Sequence, residues 1–245
     1  QALPSGFGVW RDLFVMGALN NVLPFSLIVW GQIHIDSGTA SILNGTTPFF
    51  TICLAHFFIA EERMTAAKIL GICLGIAGVA VLAGPTAMQG LTQAIEGQVA
   101  VLLAAVSYAF AGVWGRKRLS CLAPIPAAAG MLLASSLIMM PVALIWEGVP
   151  ELPSGMEVWA SLIGIGLLST SLAYLLYFRI LAAAGASNLL LVTMLVPASA
   201  MLLGVLVLGE EIQFGALAGM ALIGFGLVVI DGRLFRSLRP VGGAK

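Results

Sequence analysis

The sequence predicts an all-α protein, a polytopic bundle of membrane-spanning helices, and three observations carry that expectation. Of 245 residues, 60% are hydrophobic and 9% are charged, with a mean hydropathy of +1.07; a soluble domain is far less apolar. The apolar residues form continuous runs of about 17 to 25, the length an α-helix needs to cross the hydrocarbon core. These runs do not alternate as barrel strands do, and a helix pairs all of its backbone N–H and C=O groups within one segment.

Eight runs qualify, at 13–33, 40–60, 66–83, 99–115, 127–146, 158–181, 189–208 and 214–230, termed spans A to H. Span A follows Arg11 and stops before the turn Asp36-Ser37-Gly38. Span B leads from that turn to Glu61-Glu62. Glycine-rich C follows Lys68 and is expected to break at Gly84-Pro85, and D runs to the cluster Arg116-Lys117-Arg118, read as the joint to E. The 148–153 stretch closes E. Arg179 lies at the end of F, the 185–188 turn opens G, and Glu210-Glu211 separates G from H. Glycine, proline and asparagine punctuate these joints by turn chemistry, not by polarity alone.

Charge sorting supports eight spans. Lys and Arg near span ends collect on the cytoplasmic side, and with these boundaries all eleven fall on one side: Arg11, Arg63, Lys68, Arg116, Lys117, Arg118, Arg179, Arg233, Arg236, Arg239 and Lys245. The opposite loops hold acids only. The C-terminus is therefore expected in the cytoplasm. Equal numbers of acids and bases leave no basic excess for phosphate neutralisation, so no nucleic-acid partner is expected. Three unspaced cysteines give neither a disulfide framework nor a zinc site.

The chain also repeats itself. A shift of 149 residues aligns Gly17 with Gly166, Leu23 with Leu172, Pro48 with Pro197, and Glu61-Glu62 with Glu210-Glu211. A one-residue slip then aligns Gly71 with Gly219 and Gly78 with Gly226. A, B and C thus match F, G and H, and the repeat is five helices long. An odd number makes related helices cross in opposite directions, the inverted topology of many secondary transporters. D and E have no earlier counterparts, so eight spans are present of an inferred ten, with two expected before Gln1. The expected divisions are a first repeat at 1–84 with three helices, a non-cytoplasmic connector at 85–98, a complete five-helix repeat at 99–232, and a basic cytoplasmic tail at 233–245.

The residues that carry the repeat also carry a family resemblance. Asn21-Val22-Leu23-Pro24-Phe25 in A, the 40–48 segment ASILNGTTP in B, Glu61-Glu62, the 169–177 segment STSLAYLLY in F, Pro197 and Gly209-Glu210-Glu211 together resemble an EamA-type permease of the drug/metabolite transporter superfamily. Each motif alone is unspecific; their order, spacing and duplication across nearly the whole chain are not. The resemblance implies ten helices, cytoplasmic termini, the bacterial inner membrane, and a cavity between the halves through which small metabolites pass.

Candidate functional residues lie at helix breaks and among polar side chains at depth. Proline removes an N–H and frees the carbonyl four residues earlier, which lipid does not tolerate unless a neighbour or a cavity satisfies it. Pro24, Pro48 and Pro197 fall near the middles of A, B and G, and are expected as helix breaks with a gating role. Around them, Asn20, Asn21, Asn44, Thr47, Tyr108, Ser169, Tyr174 and Thr193 are expected to bind substrate. Interhelical hydrogen bonding is their competing use. Every acid lies near a span end, and Glu61-Glu62 and Glu210-Glu211 are expected to favour the N-termini of C and H. Gly71, Gly75 and Gly78 in C and Gly215 and Gly219 in H make small-residue faces for close packing, within the bundle or, alternatively, in a homodimer.

These features predict a secondary transporter, an exporter of small neutral, zwitterionic or amphipathic metabolites such as amino acids or drugs. It would work by alternating access around a midplane cavity, with the lipid bilayer and a small-molecule substrate as its partners. Strongly charged cargo would want a buried counter-charge. No cofactor is expected: the chain has no phosphate-binding loop, no His-Glu-x-x-His and no Gly-x-Ser-x-Gly, which argues against ATP drive and against an enzyme. The alternative is a non-transporting fragment or assembly partner.

Overall fold

The computed structural model describes residues 6–35, 37–90, 95–149, 154–193, 195–196, 199, 206 and 214–231, and every regular element among them is helical. Helix α1 (Phe7–Gly17), a π-helical turn (Ala18–Val22) and α2 (Leu23–Gly31) form one apolar rod of 25 residues. It starts earlier than the expected span A, at Gly6, whose φ of 121° suits glycine alone. Pro24 does not interrupt the rod. It sits in the first turn of α2, just past the π turn.

Span B is broken, as Pro48 suggests: α3 (Ser37–Asn44) ends before Gly45-Thr46, and α4 (Thr47–Phe58) begins with Pro48 in its first turn, where a missing N–H costs no helical bond. Helix α5 (Ala66–Gly90) runs through Gly84-Pro85, which the sequence reading takes as a break. One proline removes one bond, and a long apolar helix absorbs that loss. Helix α6 (Ile95–Trp114) continues into a second π turn (Gly115–Leu119), so Arg116, Lys117 and Arg118 extend the helix and do not form a loop. Lys and Arg are good helix formers, and their long stems reach water from a helix end.

Helix α7 (Pro124–Trp146) carries Pro141 inside it. Span F comprises α8 (Met156–Gly164), a third π segment (Ile165–Leu172) and α9 (Ala173–Leu189), which kinks at Gly185, where φ is 85°. F therefore runs past Arg179 as far as Gly185, whose non-helical backbone breaks it at the expected 185–188 turn. Helix α10 (Phe214–Asp231) corresponds to H. Most of G lies outside the described residues. Among the described residues, four rods have the length and composition to cross a membrane: Phe7–Gly31, Ile95–Leu119, Pro124–Trp146 and Met156–Leu189.

The main core joins α1, the second π turn, α7 and α9 through the fully buried Leu13, Met16, Leu119, Met131 and Leu181. A second contact joins α5 to α10 without any room for side chains between the backbones. A Cβ at Gly78 would lie 2.8 Å from the Gly219 carbonyl oxygen, and one at Gly71 would lie 2.5 Å from that of Gly226. The glycine faces thus meet each other within the chain, and Ile72, Val79 and Ile223 fill the flanks. Because Gly71 meets Gly226 while Gly78 meets Gly219, the two helices cross antiparallel. Between membrane helices such contact stabilises through van der Waals packing, since lipid is as apolar as the side chains.

Candidate functional site

The π turn in the first rod builds the site. A π turn holds one extra residue and pairs each N–H with the carbonyl five residues back, as Leu23 does with Ala18. By the same ladder, Pro24 leaves the Leu19 carbonyl without its donor. Ser107 of α6 supplies one, its hydroxyl donating to Leu19 O at 2.7 Å. The widened turn also carries Asn20 and Asn21, both buried.

Asn21 bridges three helical segments. Its amide donates to Ser135 Oγ of α7 at 2.7 Å, and its carbonyl oxygen accepts the Tyr174 hydroxyl from α9. Ser135 in turn donates to Met131 O at 2.6 Å. Asn20 makes only long contacts, from its amide to Asn21 Oδ1 at 3.5 Å and to Met131 Sδ at 3.7 Å. Its own oxygen, Oδ1, is buried and has no protein partner, and neither does the hydroxyl of Tyr177. The Tyr174 and Tyr177 rings meet edge-on, with centroids 6.0 Å apart. A buried polar atom without a partner is costly in apolar surroundings, so this cluster has hydrogen-bonding capacity to offer.

The expected residues divide by place. Asn20, Asn21 and Tyr174 come together. Asn44 and Thr47 form a separate group at the break between α3 and α4, where Thr47 Oγ1 donates to Asn44 O at 2.6 Å and satisfies the carbonyl that Pro48 frees. Thr46 Oγ1 treats Leu43 O in the same way. Tyr108 is half-buried on α6, Ser169 is exposed on the third π segment, and Thr193 bonds within its own turn to Leu190 O. Pro197, like Glu210 and Glu211, lies outside the described residues.

A family model described as the EamA-like transporter family matches residues 2–84 and 95–231. The chain belongs to that family. The transporter YoaV of Bacillus subtilis is 28% identical to this EamA-like protein over 217 residues, 89% of this chain and 74% of that one. A probable amino-acid metabolite efflux pump of Salmonella typhimurium is 28% identical over 204 residues, 80% of this chain and 67% of its own. A crystal structure of another protein shares the fold, with a TM-score of 0.77 at 20% identity, covering 94% of this chain and 80% of that chain. Membership makes this EamA-like protein an integral membrane protein of a transporter family, not an enzyme.

Ser135, Ser107 and the partners of Glu62 escape the sequence reading. Ser107 had a signal, because a proline-freed carbonyl needs a donor. Glu62 is buried and does not serve the N-terminus of α5, where its position in sequence points. Its carboxylate accepts the backbone N–H groups of Ala186 and Ser187, each at 2.7 Å, just beyond the kink at Gly185.

Proposed function

We propose that this EamA-like protein is a secondary transporter that exports small neutral, zwitterionic or amphipathic metabolites, amino acids among them, by alternating access between two inverted halves. The observation that carries this reading is the cluster of Asn20, Asn21, Ser135, Tyr174 and Tyr177, uncharged yet holding unpaired buried oxygens amid an apolar bundle. Amide and hydroxyl groups complement an amino or hydroxyl group on cargo, and the tyrosine rings offer an apolar or aromatic surface. A cargo of net negative charge would need a fixed cation, and this cluster has none. The name of the Salmonella relative agrees with the amino-acid class.

Two features support the inverted repeat. The π segments at Ala18–Val22 and Ile165–Leu172 fall at matching positions when the chain is shifted by 149 residues. The contact of Gly71 with Gly226 maps onto that of Gly219 with Gly78, as a two-fold axis in the membrane plane demands. Asn44, Thr47, Tyr108, Ser169 and Thr193 are assigned to the walls of the same path, and Pro48 and Pro197 to its moving breaks. The cations mark the cytoplasmic face, and the bacterial inner membrane is the assigned location.

The test is flux in proteoliposomes loaded with radiolabelled amino acids. Asn21→Ala and Tyr174→Ala are expected to reduce efflux at least tenfold with near-normal membrane levels, whereas Ser161→Ala, on the exposed face of α8, leaves it unchanged. Efflux at the rate of empty liposomes with every amino acid, from protein that still folds, refutes the assigned cargo class.

A further inference from the structure

A buried carboxylate in an apolar bundle is costly unless every lone pair has a donor. Glu62 sits in the connection between α4 and α5, and its two oxygens accept from consecutive N–H groups 124 and 125 residues away, at Ala186 and Ser187. These groups follow Gly185, whose φ of 85° turns the chain and aims both N–H groups at the carboxylate; a Cβ at Gly185 would overlap it. On the same side, Arg116 donates to the carbonyls of Leu181 and Ala182, at 3.4 and 2.9 Å. Two charged side chains from the α4–α6 region thus hold the F–G corner from both directions, by bonds stronger than neutral ones.

From this geometry we propose that Glu62 is the latch of the cytoplasmic gate, a positioning residue that holds the two halves together on that face and must release Ala186 and Ser187 for the cavity to open there. The proposal rests on the alternating-access reading above. Breaking this contact leaves two N–H groups to be satisfied by water, which reaches them only when that face is open.

The experiment reads sidedness. In the full chain, with Cys53, Cys73 and Cys121 changed to serine, a reporter cysteine is placed by Asn44→Cys at the α3–α4 break. A membrane-impermeant maleimide is applied to membrane vesicles of each orientation, and the ratio of cytoplasmic to opposite labelling rates is measured. Glu62→Gln places an amide NH2 against one backbone N–H and loses a charge-assisted bond. It is expected to raise the ratio about tenfold, the equilibrium factor for about 1.4 kcal/mol. Glu62→Asp keeps the charge but withdraws the carboxylate by one methylene from the Ala186 and Ser187 N–H groups, and is expected to raise it as well. Should Glu62→Gln fail to accumulate in the membrane, the Glu62→Asp shift decides alone. A reporter reachable from both faces whose ratio neither change moves overturns the latch and leaves alternating access standing. A reporter reachable from one face in all three proteins overturns alternating access itself. If neither variant accumulates, the Glu62 carboxylate is structural and the latch is refuted.

Discussion

The α5–α10 crossing makes a quantitative prediction through two glycines on one helix. An alanine Cβ at Gly226 would lie 2.6 Å from the Gly71 carbonyl oxygen and 2.9 Å from the Gly75 nitrogen, whereas one at Gly224 would meet nothing within 4 Å. Ordinary contact begins at 3.4 Å, so Gly226→Ala must part the helices by about 0.8 Å. A gap of that size forfeits about a quarter to a half of each interatomic attraction along the contact. Both obstructing atoms are backbone and no rotamer change moves them, so the upper part of the overpacking range, about 3 kcal/mol, applies. Each substitution also gains about 0.8 to 1 kcal/mol in helix propensity. Gly226→Ala should therefore lose about 2 kcal/mol while Gly224→Ala gains about 1 kcal/mol. Unfolding by titrating sodium dodecyl sulfate into maltoside micelles, followed by tryptophan fluorescence, measures both. Equal midpoints for the two variants would refute the close crossing.

Three further outcomes follow from the site. In a double-mutant cycle, Asn21→Ala and Tyr174→Phe should couple by about 0.6 to 1.7 kcal/mol in the same unfolding assay, because they end one shared hydrogen bond; additive losses would show that the bond does not form. Thr47→Val keeps the shape but leaves Asn44 O without its donor, and should cost about 1 to 3 kcal/mol, while Thr47→Ser stays near the parent. Pro48→Ala should slow efflux more than it lowers stability, since the break then depends on Gly45 alone; loss of the protein from the membrane would make the proline structural instead.

Hydrophobic run length and punctuation made most of the helices legible in the sequence. The break at Pro48 was legible because proline acts on the backbone within its own turn. The π turns were not, since one extra residue in a widened turn leaves no periodic trace in five residues of ALNNV. Asn21 and Tyr174 could be picked out as polar residues at depth, but not that they bond to each other, because 153 residues separate them. Ser135 stayed hidden for another reason: span E has no partner within the chain, so the repeat that drew attention to A, B, F and G was silent about it. Glu62 shows the limit of local electrostatics. The nearest helix N-terminus in sequence is that of α5, yet the carboxylate is satisfied by a turn of the other half, which only the folded topology brings within 2.7 Å.

The widened turns bear on the origin of the molecule. On the proposed repeat, a π turn in each half at the same place is most simply one insertion, made in an ancestral five-helix unit before it doubled. The bulge is then older than the chemistry it displays. On the proposed repeat, the first half has amides there, Asn20 and Asn21, and the second has hydroxyls, Ser169 and Thr170. An antiparallel homodimer descended from that ancestor would have carried two identical sets of groups at its centre. On that origin, fusion into one chain would have freed the two sets to diverge.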